Sequence, residues 1–318
     1  VSKMELTGGG NSSGTSGEKF AKQALTIVEA PLQAGEDILD PFAREEYYCK
    51  KVGEGSPPLL HIWRHPQAMV LGLRDRRLPG APAAMERLRS EGWSVCVRPS
   101  GGAAVVLHPG VVNVSLILPH QPGELNIHRD FARMAGFISG AVQPWSGDAV
   151  AGEIAGAFCP GDYDISIGGR KFCGIAQRRQ LKAYILTAFV IVSGNGDEMA
   201  GFVRHFYEEA SAGRQEGFPV VTGGTMASLQ ELAGVPSAEA FIASLKQTAL
   251  REFGAVDAAD AAASAASAAS AASVAPAASA SEAAAGSAAV GTGVPAGFEV
   301  PADTLEQLKA TMRSRYDG

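Results

Sequence analysis

Residues 158–179, FCPGDYDISIGGRKFCGIAQRR, bring two cysteines, a lysine in an apolar strand pattern and an arginine pair into 22 residues. A cysteine thiolate is a strong nucleophile. A lysine within reach can take the thiol proton and return it to a leaving amine. Either Cys159 or Cys173 could therefore do nucleophilic chemistry here. The plainer alternative is a β-hairpin turning at Gly168-Gly169, with small apolar sulfurs inside and Lys171 in solvent. From Arg170 to Lys182 there are five basic residues and no acid. That run fits a docking face for an acidic partner, and equally an ordinary solvated face.

A second stretch, RPSGGAAVVLHPGVVNVSL at 98–116, sets Ser100-Gly101-Gly102 just after a strand pattern. Glycines let the backbone come close to a ligand and offer N–H groups to a carbonyl or phosphate. A tight turn between strands is the commoner use of such a pair. Neither G-x-x-x-x-G-K-[ST] nor G-x-G-x-x-G is present, so the usual nucleotide-phosphate loops are not indicated. The four cysteines are spaced by 47, 63 and 14 residues with no C-x-x-C. His61 and His65 lie in HIWRH without the glutamate of H-E-x-x-H, between strand patterns. No metal site is expected from either set.

These groups need elements to position them. DPFAREEYYCKKVGEG reads as a helix ending at glycine, and PPLLHIWRHPQAMVLGLR as two strands about a Pro-containing turn. PAAMERLRSEG is a helix, WSVCVRP a strand, and AAVVLHPGVVNVSLIL two strands joined by His-Pro-Gly. RDFARMAGFISGAVQPW and GDEMAGFVRHFYEEAS are amphipathic helices, and AYILTAFVIV continues the sheet. Strands come in adjacent pairs between helices. The expected fold is therefore mixed α/β, with a largely antiparallel curved sheet flanked by helices, and not a doubly wound one.

The chain has 318 residues, 46% of them hydrophobic, and a formal charge of −6. That charge argues against nucleic acid as a partner. No run reaches the roughly 18 apolar residues that span a bilayer, so no membrane role is expected. Residues 1–24 have no apolar h-region and read as a disordered leader. Reduced thiols and a cytoplasmic location follow as expectations. Composition breaks near Asp257: residues 257–297 are almost all Ala, Ser, Gly and Val and read as a linker. The domain is expected at 25–256. PADTLEQLKATMRSRY, within 298–318, carries a capping-box outline (Asp303, Glu306) and should form a helix that docks back on the domain.

The two chemical stretches together are more specific than either. Arg98, Ser100, Gly101, Gly102, Val105, Gly110, Asn113 and Ser115 form R-x-S-G-G-x-x-V…G…N-x-S. Asp164, Gly169, Lys171, Gly174, Gln177, Arg178 and Arg179 form D-x₄-G-x-K-x₂-G…Q-R-R. This pattern resembles the superfamily of lipoate-protein ligases, octanoyltransferases and biotin-protein ligases. FCPGDYDISIGGRKF, GGAAVVLHPGVVNVSLI and DPFAREE…PPLLHIWRHPQAMVLGLRD are most similar to its octanoyl-[glycine cleavage system H protein]:protein N-octanoyltransferases. The likeness spans about residues 38–250, outside the linker. His108 stands where the family more often has an acid and is given no role.

The resemblance implies a tunnel for an eight-carbon acyl chain and a catalytic pair, Cys159 and Lys171. It implies substrate contacts from Arg98, Ser100, Gly101, Gly102, Gly174, Gln177, Arg178 and Arg179, with no cofactor and no metal. It implies octanoylated H protein as donor and lipoyl domains of oxoacid dehydrogenase complexes as acceptor. Octanoyl transfer from acyl carrier protein, ATP-dependent lipoate ligation and a non-enzymatic carrier-binding role are the alternatives. Cys173, Cys49 and Cys96 are expected to be structural. The ordinary pKa values of lysine and cysteine are about 10.4 and 8.5. Burial lowers an amine and a nearby ammonium lowers a thiol, which brings such a pair towards working pH.

Overall fold

In the computed structural model, the described residues are 25–32, 35, 37–120, 126–254, 256–257, 294 and 297–317. The expected leader and nearly all of the expected linker lie outside them.

The strands are β1 (Thr26–Glu29), β2 (Leu59–Trp63), β3 (Ala68–Leu71), β4 (Ser94–Val97), β5 (Val105–Leu107), β6 (Val111–Pro119), β7 (Val150–Ala151), β8 (Ile165–Ile167), β9 (Arg170–Arg179), β10 (Ala183–Ile191) and β11 (Val256–Asp257). The helices are α1 (Leu39–Gly53), α2 (Leu73–Arg76), α3 (Ala81–Ser90), α4 (Ile127–Val142), α5 (Gly196–Ala210), α6 (Leu229–Ala233), α7 (Ala238–Phe253) and α8 (Ala302–Met312). Eight strands form one sheet in the order β11-β1-β2-β6-β10-β9-β8-β7. Its pairs are antiparallel from β2 to β7 and parallel from β11 to β2. The fold is thus mixed α/β with a largely antiparallel main sheet.

The strand pairs read from the sequence do not stay together. β3, β4 and β5 form a separate three-stranded sheet, order β4-β3-β5. The Pro-containing turn after β2 and the His-Pro-Gly turn before β6 are therefore corners between sheets. At the second corner His108 O accepts from Val111 N at 2.9 Å, and His108 Nδ1 from Gly110 N at 3.0 Å.

β6 is central and buried on both faces, which is why VVNVSLIL reads as an almost continuous apolar run. Val112, Val114, Leu116 and Leu118 pack with Phe137 and Ile138 of α4 and with Phe241 and Leu245 of α7. Helix α4 starts where Asn126 Oδ1 accepts from Arg129 N, and α7 where Ser237 Oγ accepts from Ala240 N. The other face carries Val111, Asn113, Ser115 and Ile117 towards α1 and the small sheet. Two polar residues in mid-strand on this face mark it as something other than plain core. Helix α8 lies along α1, with Met312 buried and Lys309 Nζ 2.6 Å from Asp40 Oδ1. Among the described residues no helix is long and apolar enough to cross a membrane.

Candidate active site

The loop between β7 and β8 carries Cys159, and two anchors hold it. Phe158 is buried and stacks on Phe189 of β10, with ring centroids 5.9 Å apart. Asp164 closes a turn by accepting from Gly161 N at 3.0 Å. Between these anchors Cys159 takes φ = 49°, one of two positive values at non-glycine positions among the described residues. A left-handed cysteine costs on the order of 1–3 kcal/mol and persists only where its surroundings impose it.

Lys171 supplies the imposition from below. Its Nζ donates to Phe158 O at 2.9 Å and Cys159 O at 2.6 Å, and lies 2.8 Å from Asp164 Oδ2. Nζ thus faces three oxygen acceptors, and Lys171 and Asp164 are both buried. The carboxyl of Asp164 is raised from 3.8 to about 6. Burial is the main cause, opposed by the Lys171 charge and the Gly161 N–H.

Strand alternation alone would not put Lys171 here. Ile165 and Ser166 of β8 pair with Cys173 and Lys171 of β9, which leaves Phe172 as an extra residue. This β-bulge changes the phase of β9. Beyond it Cys173 belongs to the core under α4 and α7, whereas Lys171 Nζ sits on the Cys159 side, 5.5 Å from the Phe189 ring centroid. Gly174 makes room for both groups. A Cβ there would lie 2.9 Å from Phe189 Cζ and 3.2 Å from Lys171 Nζ.

From above, the loop after β4 meets the sulfur. Cys159 Sγ accepts from Arg98 Nη2 at 3.2 Å and from Ala103 N at 3.3 Å. Two donors converging on the sulfur would stabilise negative charge as it develops there. Arg98 Nη2 also donates to Ala103 O at 2.6 Å, which ties the guanidinium to the loop. Next to it, Ala104 N donates to Tyr207 Oη, and Tyr207 donates to buried Asp75 at 2.9 Å. Gly102 has φ = 102°, and a Cβ there would overlap Arg98 Nη2 and lie 3.0 Å from Cys159 Sγ. A Gly102→Ala variant should fold yet lose about a hundredfold in turnover, because an ångström of misplacement at reacting atoms costs that much. Steady-state rates alongside a thermal melt check it.

The other expected site residues divide. Ser100 and Gly174 line the same narrow cavity as Cys159 and Arg98, together with Phe42, Trp63, Val105, Leu107, Ala176 and Phe189. Gly101 is exposed in open space. Arg178 donates from Nη1 to Pro99 O at 2.8 Å, pairs with Glu46 of α1 and hydrogen-bonds Tyr316 beyond α8. Gln177 and Arg179 alternate to the other face of β9, where both reach Asp130 of α4. The basic run is largely paired as well: Arg170, Lys171, Arg178 and Arg179 face Glu231, Asp164, Glu46 and Asp130.

Asp164 stood in the motif without an assigned role, and Ala103 and the Asp75–Tyr207 pair were not singled out from sequence. Of these, Asp164 alone carried a signal, its place in the D-x₄-G-x-K motif. The remaining thiols are buried outside the lining of the cavity. Burial pushes Cys49 up to about 12 and raises Cys173 further, and Cys96 is buried in β4. Among the described residues no group of three or more His, Cys, Asp or Glu side chains converges as metal ligands. His61 instead lies 3.1 Å from buried Glu45.

Residues 37–254 match the family model of the lipoyl protein ligase A/B catalytic domain. The chain is 39% identical over 241 residues to an octanoyl-[GcvH]:protein N-octanoyltransferase from Anoxybacillus flavithermus, covering 74% of this chain and 87% of that one. It is 39% identical over 222 residues to a protein of the same name from Geobacillus kaustophilus, covering 69% and 78%. A bipartite lipoate protein ligase from Thermoplasma acidophilum shares the fold, with a TM-score of 0.55 at 18% identity over 74% of this chain and 85% of that one. With Cys159, Lys171 and the Ser100–Ala103 loop gathered within the matched region, the chain belongs to the lipoyl protein ligase A/B catalytic-domain family, an enzyme family, and within it to the octanoyl-[GcvH]:protein N-octanoyltransferases.

Proposed function

We propose that the protein moves an octanoyl group from a lysine of the glycine cleavage H protein to a lysine of the lipoyl domains of oxoacid dehydrogenase subunits, through a thioester on Cys159. The observation that carries this reading is the placement of Cys159 Sγ at a narrow, mainly apolar cavity, under two N–H donors, with buried Lys171 bonded to the backbone carbonyl of the same cysteine. The names of the relatives supply the donor.

An amide is a poor acyl donor, so the nucleophile must be strong and the departing amine must be protonated. The sulfur attacks the octanoyl carbonyl carbon, and the thiol proton passes to Lys171 in its neutral form. The C–N bond then breaks as Lys171 returns that proton to the leaving nitrogen. In the second half the neutral amine of the acceptor lysine attacks the thioester and Cys159 leaves as the thiol. Backbone N–H groups of the Ser100-Gly101-Gly102 loop hold the oxyanion in both halves. One such donor is worth about a hundred- to thousandfold in rate. The seven carbons beyond the carbonyl bury about 0.8 kcal/mol each, which anchors the chain.

Exchanging one amide for another is close to thermoneutral, so transfer needs no nucleotide and runs both ways. Purified protein, octanoylated H protein and an apo lipoyl domain, without ATP or magnesium, should reach equilibrium from either side in a gel-shift or mass assay. Strict dependence on ATP with free octanoate would point to ligation. Efficient use of octanoyl-acyl carrier protein, with none from the H protein, would point to direct octanoyl transfer.

A further inference from the structure

A buried carboxylate stands in a cavity otherwise suited to an alkyl chain. Glu45 of α1 is buried, and its Oε1 accepts from Ser115 Oγ at 2.7 Å and Trp63 Nε1 at 3.1 Å. His61 Nδ1 lies 3.1 Å from the same oxygen. Beside them Asn113 Nδ2 is buried without a hydrogen-bond partner. Glu45, Trp63, Asn113 and Ser115 all line the cavity that holds Cys159.

Strand register places this group away from the sulfur. Gly174, which lies against Lys171, pairs with Phe189, Phe189 with Asn113, and Asn113 with Trp63. The next row runs Ala176, Thr187, Ser115, His61. Strands sit about 4.8 Å apart, so the partners of Glu45 on β6 and β2 lie roughly 10–14 Å across the sheet from β9. On this face β9 and β10 present Gly174, Ala176, Thr187 and the ring of Phe189, all lining the cavity, and the first three are small. The polar group lies at the β6–β2 side of the same cavity.

We infer that Glu45, held by Ser115 and Trp63 and flanked by Asn113, is the end wall of the acyl cavity and sets the chain length the enzyme accepts. This rests on the octanoyl-transfer reading above. An alkyl chain long enough to reach the wall must press methylene groups onto a carboxylate and an unpartnered amide, neither of which it can hydrogen-bond. Phe42, Glu45, Ser100 and Thr187 also line a second, smaller cavity, with Glu46, Arg178 and Ile185. Truncating Glu45 joins the two spaces and lets a longer chain through.

The test uses the full chain with H protein carrying hexanoyl, octanoyl, decanoyl or dodecanoyl groups. Transfer to an apo lipoyl domain is read by mass, and a thermal melt confirms folding. The native protein should prefer octanoyl over decanoyl by about tenfold or more, as expected when a pocket rejects added methylenes. Glu45→Ala should raise the decanoyl-to-octanoyl ratio by about tenfold. Glu45→Gln, which keeps the shape and the acceptor, should hold the native ratio. Should Glu45→Ala fail to fold, Ser115→Ala removes one bond to Oε1 and opens space, and it should move the ratio the same way. A folded Glu45→Ala or Ser115→Ala with the native ratio overturns the inference. Ala176→Leu separates the two levels: it should shift preference towards hexanoyl. If it shortens the chain while the wall variants change nothing, the wall alone is wrong. If it leaves every chain length unaffected, the cavity is not the acyl site and both this inference and its parent reading fall.

Discussion

A Cys159→Ala variant is expected to lose acyl transfer by about 10⁴-fold or more while melting close to the native protein. The loss follows from chemistry that no neighbour can replace. Cys49 and Cys173 are buried with thiols pushed up by desolvation, and Cys96 is buried in β4. The fold should tolerate the change, because the loop is held by Phe158 against Phe189 and by Asp164 against Lys171, not by the sulfur. Cys173→Ala, Cys96→Ala and Cys49→Ala should keep most activity and cost stability instead, as deletions from packed cores do. An inactive Cys173→Ala beside an active Cys159→Ala would mean that the other sulfur is the nucleophile. Transfer rates and melts of the four variants decide it.

Replacing Lys171 has the second largest expected effect. General acid–base catalysis contributes about 10²–10⁴ in rate, and Lys171→Arg should lose that much, since guanidinium does not give up its proton and does not fit the same space. Lys171→Met goes further. It leaves Asp164 buried without its ion, and breaking a buried pair costs about 3–5 kcal/mol. A fully active arginine variant would remove Lys171 from proton transfer. The pair also predicts a pH dependence. The Asp164 carboxyl is raised by folding from 3.8 to about 6, so its bound proton stabilises the fold most below 3.8. That contribution is lost as the pH rises to about 6. Activity should run the other way, rising with pH through about 6 as Asp164 ionises and can stabilise the ammonium that Lys171 becomes on taking the thiol proton. Asp164→Asn should remove that limb of the rate profile.

Much of this was legible in the sequence because it depends on local rules. Gly168 and Gly169 both take positive φ, as a two-residue hairpin turn requires, and the turn sits where the Gly-Gly pair stands. The long helices α1, α4 and α5 follow their apolar periodicity. What failed to show depends on partners far away in the chain. Alternation through Arg-Lys-Phe-Cys puts Lys171 and Cys173 on one face, and no local signal marks Phe172 as a bulge. The strands before and after His-Pro-Gly read as a pair because they are adjacent, yet they enter different sheets. Gln177 and Arg178 are neighbours in a motif, but a strand sends them to opposite faces, one to Asp130 and one to Glu46. Glu45 is one of several acids in the sequence of helix α1. Its burial is visible only once Ser115 and Trp63 are brought over it.

The central claim is a covalent octanoyl thioester on Cys159, and intact-protein mass spectrometry tests it most directly. The protein is mixed with octanoylated H protein, quenched in acid, weighed and then mapped by digestion. A thioester lies uphill of the amide it comes from, so a minor fraction should gain one octanoyl unit. The expected result is that this unit maps to Cys159, is released by hydroxylamine, disappears when apo lipoyl domain is added, and is absent from Cys159→Ala. The contradicting result is octanoyl transfer between the two carriers that proceeds at the native rate in Cys159→Ala, or an acyl group that maps to any other residue.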